Sequence, residues 1–179
     1  MNLKKSVSFL LLLLGFFILK GNSGTVYANP NDTPPSFEEQ FREMGYKTVS
    51  EAVKEFEKHC NCSVKLPTMI PSIPFTHEFG KFYEDKEYEI NDSLQIRFVH
   101  SKIGHNIFKI DICPLKNKLD FEGRKYTLQD GTKGIHFESD LFNFFVFEKN
   151  NLQYLIGIHN KATNIEIPEV LVDIANSIN

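Results

Sequence analysis

Across residues 64–159 apolar and polar side chains alternate with a period of two, the pattern of strands that cover one face. Leu94, Ile96 and Phe98 alternate with Gln95, Arg97 and Val99, and Phe108, Ile110 and Ile112 alternate with Ile107, Lys109 and Asp111. Pairing Phe98 with Phe108 aligns Ile96 with Ile110 and Leu94 with Ile112. That register leaves Lys102-Ile103-Gly104 as a three-residue loop with glycine at its left-handed position. It turns Phe98 to the core and Arg97 to solvent, so Phe98→Asp is expected to prevent folding and Arg97→Asp to change little. Asp130-Gly131 marks a second hairpin, between residues 125–129 and 132–137. Asn150-Asn151 marks a third, between 142–149 and 152–159, because asparagine tolerates the positive φ such turns require. Phe144, Phe145, Val146 and Phe147 are apolar on both parities, which predicts a central strand covered on both sides.

The period changes to that of a helix at each end of this region. Thr48 and Glu51 have the spacing of a capping box, and Val49, Ala52, Val53, Phe56 and Cys60 recur on one helical stripe. A shorter helix over 37–44 is expected to stop at Gly45. Pro168 suits a first helical position, and Leu171, Ile174, Ala175 and Ile178 make one apolar face. Two amphipathic helices bury their stripes most simply by lying on the sheet. The expected class is α+β, an antiparallel meander sheet covered by an N-terminal and a C-terminal amphipathic helix.

The leading residues set the compartment. Lys4 and Lys5 precede an apolar run over 7–19, and Val26-Tyr27-Ala28 offers small residues where a signal peptidase reads, so residues 1–28 are expected to be a cleaved signal peptide. The run is short of the ~20 residues that a membrane span needs. Residues 29–36 read as a flexible linker and 37–179 as one domain. The whole chain carries 20 basic and 23 acidic side chains, a net charge of -3. Removing Lys4, Lys5 and Lys20 leaves 17 against 23, or -6, which excludes nucleic acid as an expected partner and disfavours anionic lipid or acidic wall polymers. The expected setting is secreted or extracytoplasmic, at the cell envelope, with an unidentified protein or envelope component as partner.

"NNLQYLIGI" followed by "IPEVLVDIANSI" resembles the ending of a domain-of-unknown-function family found in exported and anti-sigma-factor-like proteins of Gram-positive spore formers. Tyr154, Gly157, Leu171, Ile174, Ala175 and Ser177 carry the resemblance, while the family's usual tryptophan before the turn is missing here, with Phe145 and Phe147 nearby instead. The resemblance implies an extracytoplasmic domain with a regulatory or accessory role, and it brings no catalytic residues.

The chemistry-bearing residues favour structure over catalysis. The stretch "EKHCNCSVK" holds Cys60 and Cys62, and Cys113 is the third cysteine. A bridge from Cys62, or from Cys60, to Cys113 suits an oxidising compartment and closes a loop of about 52 residues, contributing ~4 kcal/mol. Three reduced, buried thiols are the other reading; a Cys60–Cys62 ring is disfavoured as strained. His59, Cys60 and Cys62 span too little chain for a tetrahedral zinc cage. Catalytic redox use is disfavoured because Cys60 falls at a helix C-terminus, which raises a thiol pKa, rather than at the N-terminus that Cys-x-x-Cys motifs use. His100 and His105 leave opposite faces of their hairpin, and Lys81 stands where a zinc-protease helix started by His77-Glu78 would need its second histidine. His136 and His159 read as ordinary strand residues. Ser50, Ser63, Ser72 and Ser93 come without a nearby base, and Asp85, Glu87, Glu89 and Asp92 read as a wet strand face rather than a glycosidase pair. No metal, cofactor or catalytic residue is expected. The leading expectation is a non-catalytic binding or accessory domain. The alternatives are a carrier of an apolar ligand in a Phe-lined cavity and a hydrolase with a dispersed active site.

Overall fold

The structure is a computed structural model that describes residues 34–84, 92–162 and 167–178. The expected signal peptide and most of the expected linker therefore lie outside the described residues. Ser36 opens α1 (Phe37–Glu43) with a capping box to Glu39, and Gly45, at φ 84°, ends that turn of chain. Thr48 opens α2 (Val49–Cys60) with the expected box to Glu51. Seven strands follow: β1 (His77–Tyr83), β2 (Ser93–Val99), β3 (Ile107–Pro114), β4 (Arg124–Thr127), β5 (Lys133–Glu138), β6 (Phe142–Lys149) and β7 (Leu152–His159). A 3-10 turn (Leu115–Asn117) follows β3, and α3 (Glu169–Asn176) follows β7. Pro168 is the N-cap of α3 rather than its first helical residue, so the helix starts one position later than expected. No described helix is long and apolar enough to cross a membrane.

All the strands form one antiparallel sheet in the order β1-β2-β3-β7-β6-β5-β4. The α+β class and the β2–β3 register, Phe98 to Phe108 and Ile96 to Ile110, are as expected. The sheet contains two meanders, β1–β3 and β4–β7, joined where β7 pairs with β3. Every residue of β7 is buried, so the last strand belongs in the middle of the sheet, where both of its faces are covered. Two hairpin turns match their sequence signals. Gly131 takes φ 86°, and Asn150 and Asn151 take 53° and 61°. The β2–β3 loop does not match, because pairing ends at Val99–Ile107 and Gly104 has no positive φ. The longer loop is closed by a side chain: His100 Nδ1 accepts from the Lys102 and Ile103 amides at 3.1 and 3.2 Å.

One sheet face carries Leu94, Ile96, Phe108, Ile110, Ile112, Phe145, Phe147, Tyr154, Ile156 and Ile158. Ala52 and Phe56 of α2 and Leu171, Ile174 and Ala175 of α3 join them in a single core in which most members are no more than 1% exposed. Lys149 Nζ, on β6, donates to Ile178 O at 2.6 Å and so fastens the chain just after α3 to the β6–β7 hairpin. The other face is also covered at its β1–β3 end, where α1 packs Phe41 with Tyr46, Phe79 and Val99. The Phe41 and Phe79 rings stack at 4.1 Å between centroids.

Burial of that second face corrects the expectation for Arg97. It is 8% exposed, and its guanidinium lies 2.6 Å from Asp111 Oδ1. Lys109, directly opposite Arg97 in the register, places its ammonium 4.2 and 4.5 Å from the Phe142 and Phe144 ring centres. Burial, together with Arg97 and against Asp111, draws its pKa down to about 8. Burial, with Asp111 adding, pushes the Cys113 thiol on the same face up to about 12.

The two shifts act oppositely on stability. Between pH ~8 and ~10.4 the unfolded chain holds a proton on Lys109 that the folded chain has lost, so stability rises with pH. Above ~8.5 unfolded Cys113 gives up a proton that the folded thiol keeps, so stability falls. Cys113→Ala removes the second effect. Its urea midpoint is expected to climb between pH 8 and 10, whereas the midpoint of Lys109→Met is expected to drop over the same range. Parallel profiles for the two variants would contradict these assignments.

Candidate functional site

The end of α2 is built by its own carbonyls. Asn61 takes a left-handed conformation (φ 50°, ψ 46°), a residue type that accepts it, and its amide donates to Glu57 O. The Cys62 amide follows onto the same carbonyl at 3.2 Å, and the Glu57 carboxylate accepts from the Val64 amide at 2.8 Å. The Lys65 amide then donates to Tyr154 Oη at 3.3 Å, tying the segment to central strand β7.

This turn folds Cys62 back over the helix end, bringing its Cα to 5.2 Å from that of Cys60, and the two are joined as a disulfide while Cys113 remains a free thiol. The expected bridges from Cys62 or Cys60 to Cys113 are therefore corrected. The reason is parity. Cys113 shares a face with Lys109 and Asp111, whereas α2 packs on the face of Ile110 and Ile112. Cys113 Sγ instead lies 3.8 Å from Gln153 Oε1 and from Asn117 O. The ring that the short bridge closes adds only ~1.6 kcal/mol on the chain-entropy estimate, against the ~4 kcal/mol of the bridge across the sheet.

A pocket of about 720 Å³ opens beside the disulfide. Its other walls are the 3-10 turn after β3 and the Asn150-Asn151 tip of the β6–β7 hairpin, fastened together by the Leu115 amide donating to Asn151 O at 3.1 Å. Lys65, Lys116 and His59 line it, and no carboxylate does among the described residues. In a chain of net negative charge this is a locally basic recess. Among the described residues, no phenylalanine is in its wall.

His59 is held from behind. Its Nε2 lies 2.9 Å from Asp92 Oδ2, its Nδ1 3.7 Å from Glu84 Oε1, and its ring sits 5.0 Å from the Phe82 ring between centres. Asp92, expected on a wet face, is instead 1% exposed, whereas Asp85, Glu87 and Glu89 lie outside the described residues. Ser63 lines the same pocket, but with both ring nitrogens turned to carboxylates His59 presents neither as a base for that hydroxyl.

The remaining candidates do not join this group. His77 and Glu78 lie in a strand, so no helical face pairs them with Lys81. His100 closes its own loop, while the His105 ring lies 6.4 Å from that of His159. His136 sits in β5 and Ser93 in β2. The Lys65–Lys116 recess and the His59–Asp92 contact escaped the sequence reading, because both join segments more than 30 residues apart that share no periodic signal. No family model, curated protein or solved structure matches the chain.

Proposed function

We propose that this protein works outside the cytoplasm as a non-catalytic binding or accessory domain, and that its partner presents an anionic group to the pocket at the end of α2. The observation that carries this reading is the pocket of about 720 Å³, with Lys65 and Lys116 in its wall and no described carboxylate facing them. Two lysines in the wall of a recess in an otherwise acidic protein steer and orient an anionic partner more than they add raw affinity. The wall is rigid, made of a helix end, a tight hairpin tip and a 3-10 turn, which suits binding with little ordering cost. An N-terminal export signal and the resemblance of Tyr154, Gly157 and the α3 residues to exported regulatory proteins support the extracytoplasmic, accessory setting.

The test is a comparison of two baits. The native protein and Lys65→Glu/Lys116→Glu are immobilised and exposed to culture medium and solubilised cell wall in ~0.1 M salt. A species retained by the native protein and lost by the variant is expected. Equal retention by both baits would show that the recess is not where the partner sits.

A further inference from the structure

We infer that the Cys60–Cys62 disulfide is a thiol–disulfide exchange centre, which takes two electrons from a partner's dithiol as the incoming thiolate seats in the adjoining pocket. The inference rests on the pocket proposed above as a binding site and assigns it a substrate class.

Four observations converge. The bridge closes only three residues, so it fastens no distant segment and its loss frees none. Both cysteines line the pocket and are half-buried, within reach of a reagent in solution. Lys65 and Lys116 line the same recess, where they attract a thiolate and stabilise the thiolate that leaves. The turn is held without the bridge, through the Cys62 amide on Glu57 O, the Val64 amide on the Glu57 carboxylate and the Lys65 amide on Tyr154 Oη. Reduction therefore leaves two thiols close together and ready to close again. Cys113 is the contrast: half-buried like the other two but on the far face of the sheet beside Gln153, it has its thiol pushed up to about 12 and is a poor nucleophile.

The two sulfurs are not equivalent. Cys60 Sγ lies 3.8 Å from Glu57 O, a carbonyl at a helix C-terminus, which disfavours negative charge there. Cys62 lies past the helix end and is the better leaving group. In the first step a partner thiolate bonds to Cys60 Sγ, the Cys60–Cys62 bond breaks, and Cys62 leaves as a thiolate that takes a proton from solvent. In the second, the partner's other thiol loses its proton and bonds to the partner sulfur of the mixed disulfide, and Cys60 leaves and is protonated. The partner's two thiols become a disulfide, and both electrons and two protons end on Cys60 and Cys62.

The probes are reduced glutathione, an anionic thiol, and dithiothreitol, an uncharged one. Native protein at pH 7.5 is treated with each, quenched with an alkylating reagent and mapped by peptide mass spectrometry, with circular dichroism in parallel. Cys60 and Cys62 are expected to become alkylated together at millimolar glutathione with the fold intact, and Cys113 far more slowly until urea is added. Lys65→Glu/Lys116→Glu is expected to slow both reactions, glutathione about 10-fold and dithiothreitol less, because both attack as thiolates and only glutathione carries further negative charge into the recess. A bridge that opens only as the protein unfolds overturns the inference, and so does a glutathione rate indifferent to the two lysines. If the variant loses its partner yet keeps the native exchange rate, the binding role stands and the exchange role falls. If exchange is slowed but no partner is lost, the binding role is the one at fault.

Discussion

Arg97→Asp is expected to unfold the domain in buffer, although the residue falls on the polar parity of an alternating strand. Arg97 is 8% exposed, its Nη2 sits 2.6 Å from Asp111 Oδ1, and its Nη1 donates to Ile96 O at 2.9 Å and to Ile110 O at 3.3 Å. Removing one member of a buried pair costs about 3–5 kcal/mol, because the partner is left charged and dry. Aspartate goes further, since it sets a second carboxylate against Asp111, and two like charges ~4 Å apart repel by about 4 kcal/mol at an effective dielectric of 20. A total beyond about 5 kcal/mol consumes most of the stability of a domain this size.

Two companion variants separate charge from packing. Arg97→Met should cost about 3 kcal/mol by stranding Asp111, and adding Asp111→Leu should restore much of it, because a buried ion pair can be replaced by packed apolar side chains at little net loss. Urea titrations followed by circular dichroism read all three. An Arg97→Asp midpoint equal to that of the native protein would mean that this face of β2 is wet. Phe98→Asp should be comparably severe, as the Phe98 ring packs against Phe108 at 5.6 Å and Phe75 at 5.8 Å between centres. The contrast between neighbouring positions that simple alternation implies is therefore lost.

That pair of residues shows where local reading stops. Alternation locates a strand and its register, and so β2–β3, the Asp130-Gly131 turn and the Asn150-Asn151 turn were legible, each being fixed by residues within a few positions of one another. Alternation does not say what covers the polar face. Arg97 looks solvated in sequence because the elements that shut out water, α1 with Phe41 and the segment around Tyr46, come some 50 residues earlier. The same holds for the topology, since β7 reaches the centre of the sheet only by pairing with β3 across about 45 residues. In sequence β7 is apolar on one parity, Leu152, Tyr154, Ile156 and Ile158, and carries Gln153, Gly157 and His159 on the other, so its burial on both faces is not evident locally. For the cysteines the parity of Cys113 was already implied by the β2–β3 register. Carried one step further, it would have removed the bridge across the sheet. What stayed illegible was Asn61, whose left-handed backbone makes the short bridge possible and which asparagine permits without requiring.

The placement of the site depends on a second substitution of large effect, Gly80→Val. Gly80 lies on the helix-covered face of β1 opposite Ile96, and a Cβ there would come 2.8 Å from Ala52 Cβ, 2.8 Å from Val49 Cα and 3.0 Å from Thr48 O. None of these is the end of a flexible side chain; they are the first turn of α2 itself, which is also bridged to the strand by the Lys47 and Gly80 amides, each donating to the other's carbonyl at 2.8 Å. Any side chain must lift that turn from the sheet. The cost is expected to be about 3 kcal/mol, the upper part of the range for overpacking a filled core, since bond lengths and backbone positions must give where no rotamer can. A helix moves as a rigid rod, so the displacement at Ala52 reaches Phe56, His59 and Cys60 and opens the wall of the Lys65–Lys116 recess. Gly104→Val is the control: nothing lies within 4 Å of its Cβ position, and it should stay within about 0.5 kcal/mol of native. Thermal unfolding gives the stability difference, and alkylation of Cys60 and Cys62 after mild reduction reports whether the recess has moved. Should Gly80→Val melt with Gly104→Val, the close seating of α2 on β1 is wrong, and with it the position assigned to the disulfide and the two lysines.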